Sequence, residues 1–224
     1  LTIHDSGFTA TPLASNSIDI SNEVQLYKKV TVLPASVVYY EDDFPVIYYA
    51  GDKVDVRVIM PLYRAVSDVY REKMETIYES SVKLSWREVY VGIRKLEHNG
   101  ITYYFVDNEQ YFGREGKLYG HFDDGERFAY FCEAVLSCLP YIDFIPDVLH
   151  AHDWQAALAV IYLKVKYKKD WRYGRVKSVF TIHNIEYQGK YDPYILGSLF
   201  GLGNEYLPLM CYDGCINLMK AAIE

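Results

Sequence analysis

Two short stretches concentrate the side chains capable of chemistry. In VLHAHDW (148–154) an apolar run stops at His150, His152, Asp153 and Trp154. In VFTIHNIEYQG (179–189) a second apolar run stops at His183 and Asn184, with Gln188 shortly after. Imidazole and carboxylate groups suit zinc or iron. Yet Trp154 and Gln155 stand where a dinuclear zinc hydrolase would carry its second Asp-His, and His183 adds only one further nitrogen. Nothing else in the chain completes a coordination shell, so the expected metal content is none.

Other chemistries fare worse. There is no Gly-x-Ser-x-Gly elbow, and Ser178 and Ser198 read as strand and loop residues. The GLG at 201–203 does not follow a strand, so it fails the structural test for a dinucleotide fingerprint. Sugar chemistry fits the residue types better. Carboxylates accept from hydroxyls, Asn and His both donate and accept, and Trp or Tyr stack on the apolar face of a pyranose. His150, two residues upstream in a period-2 pattern, reads as a satisfied core histidine.

These clusters need elements to bring them together. VDVRVIMP (54–61), Val82–Arg94, GITYYFVD (100–107), DVLHAH (147–152) and VKSVFTIHN (176–184) read as strands. RFAYFCEAVLSCL (127–139), QAALAVIYLKVKY (155–167) and the later half of 205–224 read as helices, and the polar, glycine-rich 108–126 as a loop. Upstream, VTVLPASVVYY and FPVIYYAG read as two strands separated by EDD, while residues 1–28 look like a linker or the tail of a preceding module. Apolar strands alternating with helices predict an α/β fold, a Rossmann-like parallel sheet flanked by helices on both faces. In such sheets ligands collect beyond the carboxyl ends of the strands. His152, Asp153, His183 and Asn184 then share one edge.

Composition narrows the partners. The chain has 224 residues, half of them apolar, and a net charge of −7, which disfavours nucleic acid and anionic membranes. No stretch approaches the roughly 18–20 apolar residues of a membrane helix. The 23 tyrosines suit strands first and carbohydrate surfaces second. Cys132 and Cys138 lie among apolar neighbours and read as buried free thiols in a reducing compartment, the cytoplasm. Cys211 and Cys215 are spaced Cys-x3-Cys in what reads as a helix.

DVLHAHDWQAALAVIYLK followed by SVFTIHNIEYQGKY strongly resembles the bacterial glycogen synthase and plant starch synthase family. The likeness extends through VDVRVIMPLY (54–63), GITYYFVDNEQYFGREGKLYG (100–120), DDGERFAYFCEAVL (123–136) and DGCINLMKAAIE (213–224). It implies the N-terminal, acceptor-side half of a GT-B glucosyltransferase, with residues 54–224 forming that domain and 1–53 a divergent segment that includes the first strands or serves as a linker. It further implies retaining transfer from ADP-glucose to the non-reducing end of an α-1,4-glucan, with no metal and no cofactor. Carried over by motif, Asp153 and His183 would be catalytic. Asp153 would face either the transferred sugar or the incoming hydroxyl. Asn184 and Gln188 would lie on the substrate side of the same loop, and Trp154 and Tyr119 would line the acceptor wall, although Trp154 reads equally well as packing beneath the helix it begins.

The family's Lys-x-Gly-Gly-Leu loop, which meets the donor phosphates, has no counterpart in residues 1–53. The candidate first strands are followed by EDD and GDK, the first of the wrong sign for a diphosphate and the second too short. That segment is either divergent or missing from the chain. The chain also stops before the family's C-terminal domain, so the isolated chain is expected to be inactive. The alternative is a glucan-binding or regulatory module that kept the fold without the donor loop.

Overall fold

The computed structural model describes residues 29–33 and 55–224. The chain first forms β1 (Lys29–Leu33), β2 (Asp55–Pro61), α1 (Asp68–Arg71), β3 (Glu75–Leu84), β4 (Arg87–His98), β5 (Ile101–Asp107) and α2 (Glu109–Phe112). The central layer follows with α3 (Asp124–Cys138), β6 (Val148–His152), α4 (Asp153–Val165) and β7 (Lys177–Thr181). The chain closes with β8 (Lys190–Tyr191), α5 (Ile195–Ser198), α6 (Leu207–Met210), β9 (Cys211–Tyr212), β10 (Cys215–Asn217) and α7 (Leu218–Ile223).

Seven strands form one sheet in the order β3-β4-β5-β2-β1-β6-β7. The run from β5 to β7 is parallel throughout, and β4 joins it antiparallel to β5, carrying β3 as a hairpin partner. The parallel sheet expected from sequence is therefore present, with an antiparallel extension at one side. From β1 the chain steps outward to β2 and β5, then returns to the other flank of β1 for β6 and β7. The order reverses between β1 and β6, and at such a switch point the loops beyond the strand ends part to leave a crevice.

Alternation along the strands divides the core. Ile59, Tyr104 and Val106 face one layer with the buried sides of α3 and α4, while Val58, Met60, Tyr103 and Phe105 face a smaller cluster that includes Val66. All ten residues from Trp154 to Leu163 in α4 are buried, so this helix has no solvent face over most of its length.

Several elements differ from the sequence expectation, each for a local reason. Val82–Arg94 is two strands, because the chain turns at Ser85-Trp86, where Ser85 adopts φ +54° and Leu84 pairs with Arg87. Apolar alternation runs on either side of that turn and Ser-Trp lacks the Asn-Gly or Asp-Gly signature, so nothing in the pattern marks it. Cys211 and Cys215 lie in the β9–β10 hairpin rather than in a helix. There Asp213 and Gly214 both take positive φ, the requirement of a type I′ turn. The stretch 108–126 contains α2, capped by the Asn108 side chain accepting from the Tyr111 N–H at 3.1 Å, and the first residues of α3. β1 covers the start of VTVLPASVVYY; its remainder, FPVIYYAG and residues 1–28 lie outside the described residues.

The loop between α2 and α3 is held by a buried ion pair. Arg127, 1% exposed, donates through Nη1 to Asp124 Oδ1 at 2.6 Å and through Nη2 to the Leu118 carbonyl at 3.2 Å. Asp124 Oδ2 accepts from the Gly120 N–H at 2.5 Å. The peptide groups on both sides of Tyr119 are thus fixed by one pair of charges. Replacing Arg127 with leucine strands the Asp124 carboxylate in the interior. Urea unfolding of Arg127→Leu is expected to show a loss of about 3 kcal/mol, as for other broken buried pairs.

Candidate active site at the carboxyl edge of the sheet

The strand β6 runs into α4 without a linker. His152 is extended at φ −117°, and the next residue, Asp153, takes φ +58°. A left-handed conformation is costly for most side chains and is tolerated by Asp and Asn. Strain of this kind persists where the surroundings over-determine it. Here Asp153 Oδ1 accepts a hydrogen bond from the His183 backbone N–H at 2.7 Å. Because β6 and β7 are parallel, with His152 opposite Thr181, the elbow after β6 and the loop after β7 emerge side by side and this bond staples them.

Two residues apart on β6, His150 and His152 share a face, and their rings lie 4.2 Å apart. His150 Nε2 lies 2.8 Å from Thr181 Oγ1, which gives the core partner expected for it. His152 Nδ1 and His183 Nε2 are hydrogen-bonded at 2.9 Å, with the two rings nearly parallel. Burial, then the nearby charge of His183, pushes the pKa of His150 down to about 4. Burial, reinforced by His150 and His183, takes His152 down to about 2. At neutral pH both are uncharged hydrogen-bonding groups. Among the described residues no three His, Cys, Asp or Glu side chains are grouped to hold a metal ion. The nitrogens of His152 and His183 point at each other instead of at a common centre.

The other sequence-predicted residues take distinct places. Asn184 Oδ1 accepts from the Glu186 N–H at 2.9 Å, which turns the chain directly after His183. Gln188 donates to the Ile185 carbonyl and accepts from Asn217 Nδ2 at 2.7 Å, while Asn217 in turn caps α7 through the Lys220 N–H. Gln188 therefore ties the TIHN loop to the last helix. Trp154 is only 7% exposed and packs edge-on against Phe128 at 5.2 Å. A Cβ on Gly189, which has φ +65°, would come within 2.9 Å of the Trp154 indole, so the loop rests directly on that ring. The structure thus puts Trp154 beneath the site. Tyr119 is 38% exposed on its own loop, the one pinned by Arg127 and Asp124.

Some contributors escaped sequence reasoning. Arg127 and Asp124 are three residues apart in DDGERF, a spacing open to an ion pair, but nothing in that spacing signals burial. Phe122, almost fully exposed beside the Tyr119 loop, and exposed Tyr187 after Asn184 add aromatic faces. A polar cleft of about 630 Å³ lies along the same sheet edge at the ends of β4 and β5, lined by Arg87, Tyr90, Arg94, Asp107 and Glu126. It is separate from the histidine cluster; within it Arg87 pairs with Glu126 and Arg94 with Asp107, at 2.6 Å each, and Glu88 and Glu109 also line it.

Residues 47–224 match the family described as the starch synthase catalytic domain. The chain belongs to that family. The glycogen synthase of Anoxybacillus flavithermus is 48% identical over 171 residues, covering 75% of this chain and 35% of that protein. The glycogen synthase of Geobacillus stearothermophilus is 43% identical over 172 residues, 76% of this chain and 35% of that one. Among solved structures, the catalytic domain of starch synthase IV from Arabidopsis thaliana, bound to ADP and acarbose, superposes with a TM-score of 0.69. That match has 24% identity and covers 88% of this chain and 43% of that chain, and it establishes the shared fold. The resemblance read from HAHDW and TIHNIEYQG is borne out, as is the Rossmann-like α/β class. The chain spans about a third of the length of the curated relatives it matches.

The depressed histidines link pH to stability. Unfolded, His150 binds a proton below about pH 6.5; folded, it resists until about pH 4. Protons therefore favour the unfolded chain across that window, and stability present above pH 6.5 falls as the pH drops toward 4. His150→Gln keeps a group that can reach Thr181 and cannot titrate. Its unfolding free energy is expected to fall less steeply than the wild type between these pH values, by on the order of 1 kcal/mol per pH unit in urea titrations.

Proposed function

We propose that this chain is the acceptor-side half of a retaining glucosyltransferase that moves glucose from ADP-glucose to the non-reducing end of an α-1,4-glucan. The observation that carries this reading is the staple between Asp153 and His183 beside the switch point of the sheet, in a chain of the starch synthase family. In this reading the donor nucleotide is the leaving group, and no metal or further cofactor is included. His183 and Asn184 lie on one short turn, where donors and acceptors can meet the hydroxyls of the transferred sugar. The Asp153 carboxylate, locked by the elbow, places negative charge where the sugar carbon becomes electron-poor or where the incoming hydroxyl arrives. Tyr119, with Phe122 near it, offers aromatic faces to the glucan.

In-line transfer needs donor and acceptor fixed from both sides. With a net charge of −7, this chain is poorly suited to hold the departing diphosphate alone. The opposite wall, a C-terminal domain, supplies the nucleotide pocket in this proposal. Among the described residues no helix is long and apolar enough to cross a membrane. The proposed setting is the cytoplasm, which suits the free thiols of Cys132 and Cys138. The absence of Lys-x-Gly-Gly-Leu from residues 1–53 favours a second reading, a glucan-binding module without transfer.

Two measurements separate these readings. In the intact enzyme, His183→Ala and Asp153→Asn are each expected to lower kcat with ADP-glucose by roughly 10²-fold, as loss of a transition-state contact does. Unchanged rates would defeat the catalytic assignment, and an intact protein that binds glucan without elongating it would leave the binding module. For the acceptor wall, Tyr119→Ala is expected to weaken maltooligosaccharide binding by about 10-fold, read by calorimetry, through loss of a stacking face. Equal affinity would remove Tyr119 from the wall.

A further inference from the structure

His152 lies one residue before the Asp153 elbow, with its ring partly buried behind His183. Nδ1 faces His183 Nε2 at 2.9 Å, and Nε2 is buried without a hydrogen-bond partner among the described residues. The 2.9 Å contact holds one proton, which sits on one nitrogen or the other. Burial keeps His152 uncharged at neutral pH, so its ring carries a single proton.

The two arrangements differ at the buried end. If His183 Nε2 carries the shared proton, His152 Nδ1 accepts and the lone His152 proton must sit on Nε2, an interior N–H with no acceptor among the described residues. If His152 Nδ1 carries the proton, it donates to His183, and the buried Nε2 is a bare ring nitrogen. Orphaned interior N–H groups are rare in folded proteins, whereas a bare acceptor tolerates weak C–H donors around it. The exposed end imposes no counter-preference, because water satisfies either form of the other His183 nitrogen. The tautomer of one imidazole is set by the bond its other nitrogen makes.

We propose that His152 is a positioning residue that locks His183 in the tautomer with its proton on Nδ1, so that His183 presents a fixed N–H donor to the cleft. The role of that donor rests on the glucosyl-transfer reading: it meets a hydroxyl oxygen of the transferred glucose and holds the sugar in place while the glycosidic bond breaks. No proton is transferred in this role. His152 holds an orientation and a proton position, in the manner of groups that orient ligating histidines from behind.

The tautomer is readable without substrate, so its failure is distinct from failure of the transfer reading. In protein labelled with 15N-histidine at neutral pH, two-bond 1H–15N correlation is expected to show the proton on Nδ1 of both His152 and His183. A proton on His183 Nε2 would overturn the proposal. Two near-isosteric variants add a functional readout. His152→Asn keeps an N–H donor at the position of Nδ1, and His152→Asp offers a carboxylate that draws the His183 proton onto Nε2. In the intact enzyme kcat is expected to fall roughly tenfold in His152→Asp and to stay within about threefold of wild type in His152→Asn, with the glucan KM little changed in both. Equal losses in the two variants, or an unmoved His183 proton in His152→Asp, would reduce His152 to a packing residue and sink the idea.

Discussion

The hydrogen bond from the His183 backbone N–H to Asp153 Oδ1, 2.7 Å long, is the constraint on which the site depends. It joins the end of β6 to the loop after β7 and holds Asp153 in a left-handed conformation at φ +58°. The bond and the strain sustain each other. Without the elbow, the carboxylate would not reach across to the neighbouring strand's loop, and the bond in turn helps to hold the left-handed turn. A strand that passes directly into a helix buried over most of its length leaves its first helical side chain at the sheet edge, with no flexible loop to blur its position.

The support beneath this staple is unusually indirect. The loop carrying His183 and Asn184 lies on the Trp154 indole through Gly189, and Gln188 links it to the cap of α7 through Asn217. On the other side, the Tyr119 loop is fixed by charges at the start of α3, and α3 packs against Trp154 through Phe128. Trp154 therefore touches the supports of both loops. A side chain that looks like a sugar platform in HAHDW gives the site its shape from below.

Much of this was legible in the sequence. Period-2 runs ending in HAHD and TIHN located the two strands and the edge they share, because a parallel sheet places its carboxyl ends together. The turn at Ser85-Trp86 was illegible, since apolar alternation continues across it and no glycine or asparagine marks the reversal. The Asp213-Gly214 hairpin was legible in principle, and the helical texture of the surrounding LPLM and INLMKAAI masked it. The partition of roles was harder still. Trp154 and Tyr119 are both aromatic and adjacent to motif residues, and only packing distinguishes the buried ring from the exposed one. Arg127 and Asp124 read as a solvated charge pair until the three-dimensional fold closes a loop over them.

What the assembled edge can do follows from its charge state. Burial drives His150 and His152 to low pKa, so the interior side of the cluster carries no positive charge at neutral pH. The carboxylate of Asp153 stands at the mouth. Under the proposed transfer, such an edge would favour a sugar carbon acquiring positive character and would offer no cation to a diphosphate acquiring negative charge. Those two demands arise at opposite ends of the same breaking bond. In the proposed two-domain reading these demands fall to different walls, and the uncharged His150 and His152 fit that division. Under the proposed transfer, a cation placed here would compete with the nucleotide-binding wall for the phosphates, whereas an oriented imidazole N–H would contribute a directed hydrogen bond without pulling the leaving group away from that wall.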